Sequence, residues 1–402
     1  MKLYSEAAVE RAMKVQEVIL RAAAKKITWI QAAEILGVTP RHMRRWKEKY
    51  EQFGFHALFD GRRGKTSPRR MPSAVLEEVL RLYRERYFDL NVKHFHEKLT
   101  DEHGFSVSYT WTKGVLQGAG LVRRVPRRGT HRKRRQRRPL PGMLLHIDAS
   151  QHQWFMDERW HDLIVILDDA TSRIYYAQLV EQESARTVLR ALRQVVEGQG
   201  LFCSLYSDRA SHFWLTPKAG EPVDRQALTQ VGRAMRELNI QMIPAYSPQA
   251  RGRSERSFRT WQGRLPQELR LAGITTLEEA NRFLRERYVA EFNGRFSRAA
   301  SQEGTAFVAC RRTDLDRVFC LQHERVVARD NTVQFARLTL QIERQRWRAT
   351  LAGCRVTVYE HLDGTLSLGY GAHEVGRYSS EGVPLRVPAQ DEVKKAAKKR
   401  AA

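Results

Sequence analysis

Between residues 143 and 246 the apolar residues gather into five short runs, and the spacing of these runs admits few folds. Three come in direct succession: Met143-Leu144-Leu145-His146-Ile147-Asp148, Leu163-Ile164-Val165-Ile166-Leu167-Asp168-Asp169 and Ile174-Tyr175-Tyr176-Ala177-Gln178-Leu179-Val180. Turn residues separate them, so they read as a meander of strands. Over residues 184 to 197, Val188, Leu189, Leu192 and Val195 then fall on one helical face. A fourth run over 201 to 208, a helix over 226 to 238 and a fifth run over 240 to 246 follow. The order β-β-β-α-β-α-β-α predicts a mixed sheet with helices on its faces. The first and fourth runs each end on an acid, Asp148 and Asp208, and the fifth leads into a long helix with Glu255 in its first turn. Two strand ends and a helix start can converge on one point.

The N-terminal third has a different grammar. Over residues 7 to 25 the positions Ala8, Ala12, Val15, Val18, Ile19 and Ala22 keep helical spacing. A short helix follows, capped by Thr28 and closed at Gly37, and Thr39 with Pro40 opens the next one. Helix, glycine turn and freshly capped helix make a helix-turn-helix. The second helix offers Arg41, His42, Arg44, Arg45 and Lys47 on its polar side and Met43 and Trp46 to a core. That division suits a helix that reads base edges while its flanks hold phosphates. A solvated basic helix in a three-helix bundle is the bland alternative.

Residues 61 to 72 form a basic linker with Arg62, Arg63 and Lys65, punctuated by Gly and Pro. Residues 73 to 125 repeat the helical spacing, resembling a second helix-turn-helix or winged-helix module of weaker charge. His94 and His96 in this module suggest zinc, but no Cys pair accompanies them, so ordinary polar histidines are expected. A second linker, residues 126 to 140, contains Arg132, Lys133, Arg134 and Arg135. So dense a positive segment is expected to lie on a DNA backbone.

The charge supports this partner. The chain has 402 residues and a formal net charge of +25, with 32 Lys and Arg against 14 Asp and Glu in its first 140 residues. Such a field gathers polyanions. At this length two to four domains are expected, and 42% hydrophobic against 29% charged residues excludes a disordered chain. Four scattered cysteines suggest neither a disulfide framework nor a zinc cluster. No run approaches the ~20 apolar residues of a membrane span, so a cytoplasmic, nucleoid-associated protein is expected.

HIDAS around Asp148, YSDRAS around Asp208 and SPQARGRSER around Glu255 together resemble the catalytic core of the DDE transposases and retroviral-type integrases. The likeness covers residues 141 to 295, and the layout of the whole chain is similar to bacterial insertion-sequence transposases, especially the ISNCY type. It implies a multidomain α/β protein: N-terminal helix-turn-helix modules, a ribonuclease H-like mixed-sheet catalytic core, and a small C-terminal SH3-like β-barrel. Asp208 and Glu255 lie farther apart than is usual in the family. Residues 213 to 224, rich in Gly and Pro, look like an inserted loop that explains the difference.

The resemblance further implies that Asp148, Asp208 and Glu255 are the catalytic acids and hold two Mg²⁺ or Mn²⁺ ions, with Asp148 bridging. Asp168 and Asp169 compete for a metal place, but their sequence reads as a turn between strands. Arg251, Arg253 and Arg256 are expected to touch phosphates near the scissile bond. The implied activity is binding of the terminal inverted repeats of an insertion sequence, metal-dependent 3′-end cleavage and strand transfer into target double-stranded DNA. Two ends must be held at once, so a homo-oligomer, at least a dimer, is implied. A DNA-binding regulator with an inactive core, or a nuclease that does not join strands, are the alternatives. Short strands over residues 296 to 385 suggest the barrel, and a basic tail over 386 to 402 is expected to be disordered.

Overall fold

A computed structural model describes residues 4–60, 71–124, 136–216, 222–224, 226–246 and 252–385. The expected basic stretches at Arg62, Arg63 and Lys65, at Arg132 to Arg135, and at Arg251, with the C-terminal tail, fall outside the described residues. The chain divides into two compact units, Met1–Leu82 and Tyr83–Ala402.

The first unit opens with α1 (Glu6–Ala23), α2 (Trp29–Ile35) and α3 (Pro40–Phe53), followed by a single tight turn, Phe55–Leu58. Ala12, Val15, Val18, Ile19 and Ala22 of α1 meet Ala32, Ala33, Met43 and Leu58 in one core. The two caps expected from sequence are both present. Thr28 and Gln31 form a reciprocal capping box, and Thr39 accepts the His42 amide hydrogen at 3.3 Å. Thr28→Ala is expected to cost about 1 kcal/mol of stability in this unit, read as a lower denaturant midpoint with an unchanged slope.

Helix α4 (Ser73–Glu85) spans the division between units. In the second unit α5 (Val92–Asp101) and α6 (Tyr109–Gly118) follow, with caps Asn91 and Ser108. No wing strand occurs among the described residues of this segment.

The central sheet has five strands in the order β3-β2-β1-β4-β5: β1 (Leu145–His152), β2 (His161–Asp168), β3 (Ile174–Val180), β4 (Ser204–Ser207) and β5 (Gln241–Pro244). The meander β1-β2-β3 is antiparallel, and β4 and β5 join it in parallel. One face packs on α7 (Ala185–Gln199) and α8 (Gln230–Glu237) through Ile147, Ile164, Ile166, Leu192, Val195 and Met235. The other carries Leu163, Val165 and Leu167 against α9 (Ser254–Gln262), α10 (Leu265–Leu271), α11 (Leu277–Phe283) and α12 (Val289–Phe296). A wider π turn, Leu284–Tyr288, joins the last two.

Two features differ from the sequence expectation. The long helix after the fifth strand is broken at Gly263 and Arg264, because Pro266 opens a new helix. The insert after residue 213 is also more than a loop, since Phe213, Trp214 and Val223 are buried in the sheet's core. The free edge of β3 is clamped by two asparagines. Asn281 exchanges hydrogen bonds with the backbone of Leu179 at 2.8 Å each way, and Asn293 does so with Ile174 at 2.7 and 2.9 Å. These bonds satisfy backbone groups that an edge strand leaves open.

Past α13 (Leu315–Val318), β6 (Leu321–Val326), β9 (Arg355–Glu360), β10 (Leu366–Tyr370) and β11 (His373–Tyr378) form a four-stranded antiparallel sheet in the order β11-β10-β9-β6. Between β6 and β9, β7 (Thr332–Phe335) and β8 (Leu338–Gln341) form a separate hairpin. The expected closed barrel is therefore not formed among the described residues. The hairpin of β7 and β8 is not hydrogen-bonded into the larger sheet, so the outer edges of β6 and β11 are not joined through it. Side chains from both pieces, Val333 and Leu340 with Val358, Leu366 and Leu368, still share one core.

Candidate active site

Strand β1 sets the first acid. Leu145 and Ile147 point into the core under α7 and α8, so His146, Asp148 and Ser150 occupy the opposite face. Their antiparallel partners Leu167, Val165 and Leu163 do pack on that opposite side. Asp148 is 6% exposed. It is the fourth residue of an eight-residue strand rather than its last. The difference arises because β1 pairs with β4 only at Leu145 and His146, while its pairing with β2 continues to His152.

The second acid follows β4. Leu145 and His146 lie opposite Leu205 and Tyr206, and Asp208 is the first residue after β4 ends at Ser207. His146 and Tyr206 face each other with ring centroids 5.1 Å apart, which fixes the shared side. Asp208 also shapes its own turn, accepting the Ala210 amide hydrogen at 3.0 Å.

The third acid rides on α9, which is tied down at both ends. At its start Arg253 pairs with the Asp169 carboxylate and donates to the Gln136 carbonyl at 3.0 Å. Asp169 in turn accepts His146 Nε2 at 2.8 Å and the Arg138 amide at 2.8 Å. At its other end Gln262 donates to Ser150 Oγ at 2.9 Å. The eight steps from Ser254 to Gln262 span about 12 Å, close to the roughly 13 Å from His146 to Ser150 along β1. Helix α9 thus runs along β1 from the level of His146 to that of Ser150, with Asp148 midway. Glu255 stands exposed in its first turn.

Asp168 and Asp169 are fully buried and occupied by protein donors. Asp168 accepts the Gly142 amide at 2.8 Å and both the amide and hydroxyl of Thr171 at 2.8 and 3.0 Å. They hold the β2-β3 turn, as expected from sequence. Sequence reading missed a second task of Asp169, which is to seat the start of α9 through Arg253. Asp148, Asp208 and Glu255 carry hard oxygen donors, the donor type that Mg²⁺ selects. Among the described residues no three His, Cys, Asp or Glu side chains are already gathered into a metal-holding group.

The helix-turn-helix surface is open where reading was expected. Arg41, His42, Arg44 and Arg45 on α3 are exposed, while Met43 is buried. Lys47 is partly committed, with its ammonium 4.9 Å above the Trp29 ring and 3.7 Å from Glu51.

Residues 16–66 match a helix-turn-helix domain family. The chain is 32% identical over 378 residues to the "Putative transposase y4bF" of Sinorhizobium fredii, covering 91% of this chain and 80% of that protein. The chain belongs to the transposases. It is also 28% identical over 313 residues to the transposase for insertion sequence IS1202 of Streptococcus pneumoniae, covering 69% of this chain and 67% of that one. Among solved structures the transposase is similar to the HTLV-2 integrase catalytic core domain in complex with magnesium, at 15% identity and a TM-score of 0.28 over 37% of this chain and 90% of that one. A simian T-cell lymphotropic virus intasome in complex with a PP2A regulatory subunit is similar at 11% identity and a TM-score of 0.31, over 77% and 99% of the two chains.

Two of the transposase's expected phosphate contacts now separate. Arg253 is turned inward to Asp169, whereas Arg256 is exposed one residue beyond Glu255. His94 and His96, the zinc temptation, have protein partners: His94 Nε2 lies 2.5 Å from Glu268, and His96 Nδ1 3.3 Å from Thr112 Oγ1. Among its described residues the transposase has no helix long and apolar enough to cross a membrane.

Proposed function

We propose that this transposase binds the terminal inverted repeats of an insertion sequence, cleaves the 3′ ends and transfers them into target DNA, with Asp148, Asp208 and Glu255 as its catalytic acids. One observation supports the reading: Asp148 lies on the face of the sheet against which α9 packs, and Asp208 follows the strand β4 that pairs with β1. The three acids would hold two Mg²⁺ or Mn²⁺ ions. When bound, such a pair supplies stabilisation of the negative charge on the attacking and leaving oxygens.

The chain's own residues do the rest. The Asp169–Arg253 pair and the Gln262–Ser150 hydrogen bond fix the axis of α9, so Glu255 is presented from a helix held at both ends. Arg256, exposed beside Glu255, would take a phosphate oxygen of the incoming strand. Arg41, His42, Arg44 and Arg45 give α3 its surface for element ends. Water and then a DNA 3′-hydroxyl act as nucleophiles, with no covalent bond to protein. Holding two ends requires a homo-oligomer, at least a dimer.

The test is a gel assay with labelled element ends and a target plasmid. Joined product is expected with Mg²⁺ or Mn²⁺ and none after chelation, with end binding retained. Cleaved ends without joining would point instead to a nuclease, and binding with neither product to a regulator.

A further inference from the structure

The segment Glu343-Arg344-Gln345-Arg346-Trp347-Arg348 sets three arginines around one tryptophan, in a part of the chain the acids do not use. Trp347 is 46% exposed and is not part of the sheet's core. Its ring lies against the tip of the β10-β11 hairpin, with centroids 4.6 Å from His373 at 27° and 6.0 Å from Tyr370 at 14°. Tyr370 and His373 are cross-strand partners, so they share a face and support the indole from one side.

The arrangement is built rather than incidental. Arg348 donates to the Tyr370 hydroxyl at 3.1 Å and to the Thr350 carbonyl at 2.9 Å, with its guanidinium 5.7 Å over the Tyr370 ring. The Arg348 amide closes a turn onto the Gln345 carbonyl at 3.3 Å, and Gln345 Nε2 reaches the Val375 carbonyl at 3.4 Å. Arg344, Gln345, Arg346, Trp347, Arg348 and Ala349 line one concave surface. Arg344 and Arg346 are exposed, and no carboxylate among the described residues pairs with either. Of the nearby acids, Glu374 is taken by Arg317 and Arg377 at 3.2 and 3.0 Å, and Glu343 is exposed at the start of the segment.

We propose that Trp347 is a stacking platform for an unpaired base of DNA, with Arg344 and Arg346 holding the phosphates on either side. A flat ring with one supported side and one open side fits a single base plane, and uncompensated arginines fit the backbone beside it. A paired base within a duplex has both of its faces covered, so the ligand is a single-stranded or frayed segment. The inference does not depend on the acid site, because its readout is binding rather than strand transfer.

The full chain is titrated by fluorescence anisotropy with a labelled single-stranded oligonucleotide and with one of equal length bearing abasic positions, so that phosphate number is constant. Wild type is expected to favour the base-bearing strand by about tenfold, the order of one stacked base. Trp347→Ala should abolish that preference and Trp347→Phe should keep most of it. Arg344→Gln with Arg346→Gln should weaken both strands alike and leave their ratio unchanged. A wild-type preference surviving in Trp347→Ala overturns the platform. Photocrosslinking of a 5-iodouracil strand to the wild-type chain, mapped by mass spectrometry, guards against misfolding of the variant. Adducts within residues 344 to 349 support the proposal, and adducts confined to other segments overturn it.

Discussion

Asp148→Asn is expected to reduce strand transfer by about 10³-fold or more, the effect of losing several kcal/mol of transition-state stabilisation from a metal site, while leaving affinity for element ends unchanged. The substitution preserves shape, removes the charge and turns one acceptor oxygen into an N–H donor. Because Asp148 is flanked on β1 by Ile147 of the core and by Ala149 packed against it, a neutral isostere should not unfold the strand. The thermal midpoint should stay within the roughly 2–4 °C that 1 kcal/mol represents in a domain of this size. Activity in a joining assay, anisotropy on an end duplex and a melting curve are read on the same preparation. Joining at the wild-type rate would falsify the assignment. Loss of joining together with a collapsed melting curve would mark Asp148 as structural instead.

The largest expected effect on stability lies elsewhere, at Glu268. This residue of α10 is buried between two residues of α5, with Oε1 2.5 Å from His94 Nε2 and Oε2 2.9 Å from Lys98 Nζ. Burial alone would raise its carboxyl, but the hydrogen bonds from His94 and Lys98 outweigh it and bring the value down from 4.5 to about 2. Glu268→Ala leaves buried His94 without its carboxylate and Lys98 with Glu102 alone, at 2.7 Å, and should cost about 3 kcal/mol. The sign of the pH dependence follows from the lowered value. Stability from this group is fully present above the ordinary carboxyl value of 4.5 and is lost as pH falls toward 2. Urea titrations between pH 5 and 2.5 should therefore show a steeper loss for wild type than for Glu268→Gln. Parallel curves would remove Glu268 as the acid-sensitive group.

Much of the architecture could be read from local patterns, because local patterns cause it. The alternation and spacing of apolar runs produce the five strands and their flanking helices, and Thr28, Gly37, Thr39 and Pro40 mark real caps and turns in α2 and α3. Where the reading failed, the cause was distant or cooperative. Whether β6 to β11 close into a barrel depends on which edges pair, and no single strand carries that information. The break between α9 and α10 was signalled by Gly263 and Pro266 but outweighed by the helical spacing around it. Arg253 and Asp169 are 84 residues apart, and Glu268 lies 174 and 170 residues from its two partners. Ion pairs at such separations leave no periodicity to detect, so an arginine expected to meet phosphate was found holding a buried acid.

The seam between α5 and α10 extends beyond Glu268. Arg264 meets Glu97 at 2.6 Å, Arg270 grips Asp89 with two bonds of 2.9 and 2.7 Å, Arg295 reaches Asp101 at 3.0 Å, and Asn91 donates to the Gly263 carbonyl at 2.9 Å. Helix α6 packs on α5, and α10 follows the helix that bears Glu255 across the break at Gly263 and Arg264. The spacing between α6 and the start of α9 is therefore set by packed and bonded surfaces, with no flexible tether in between.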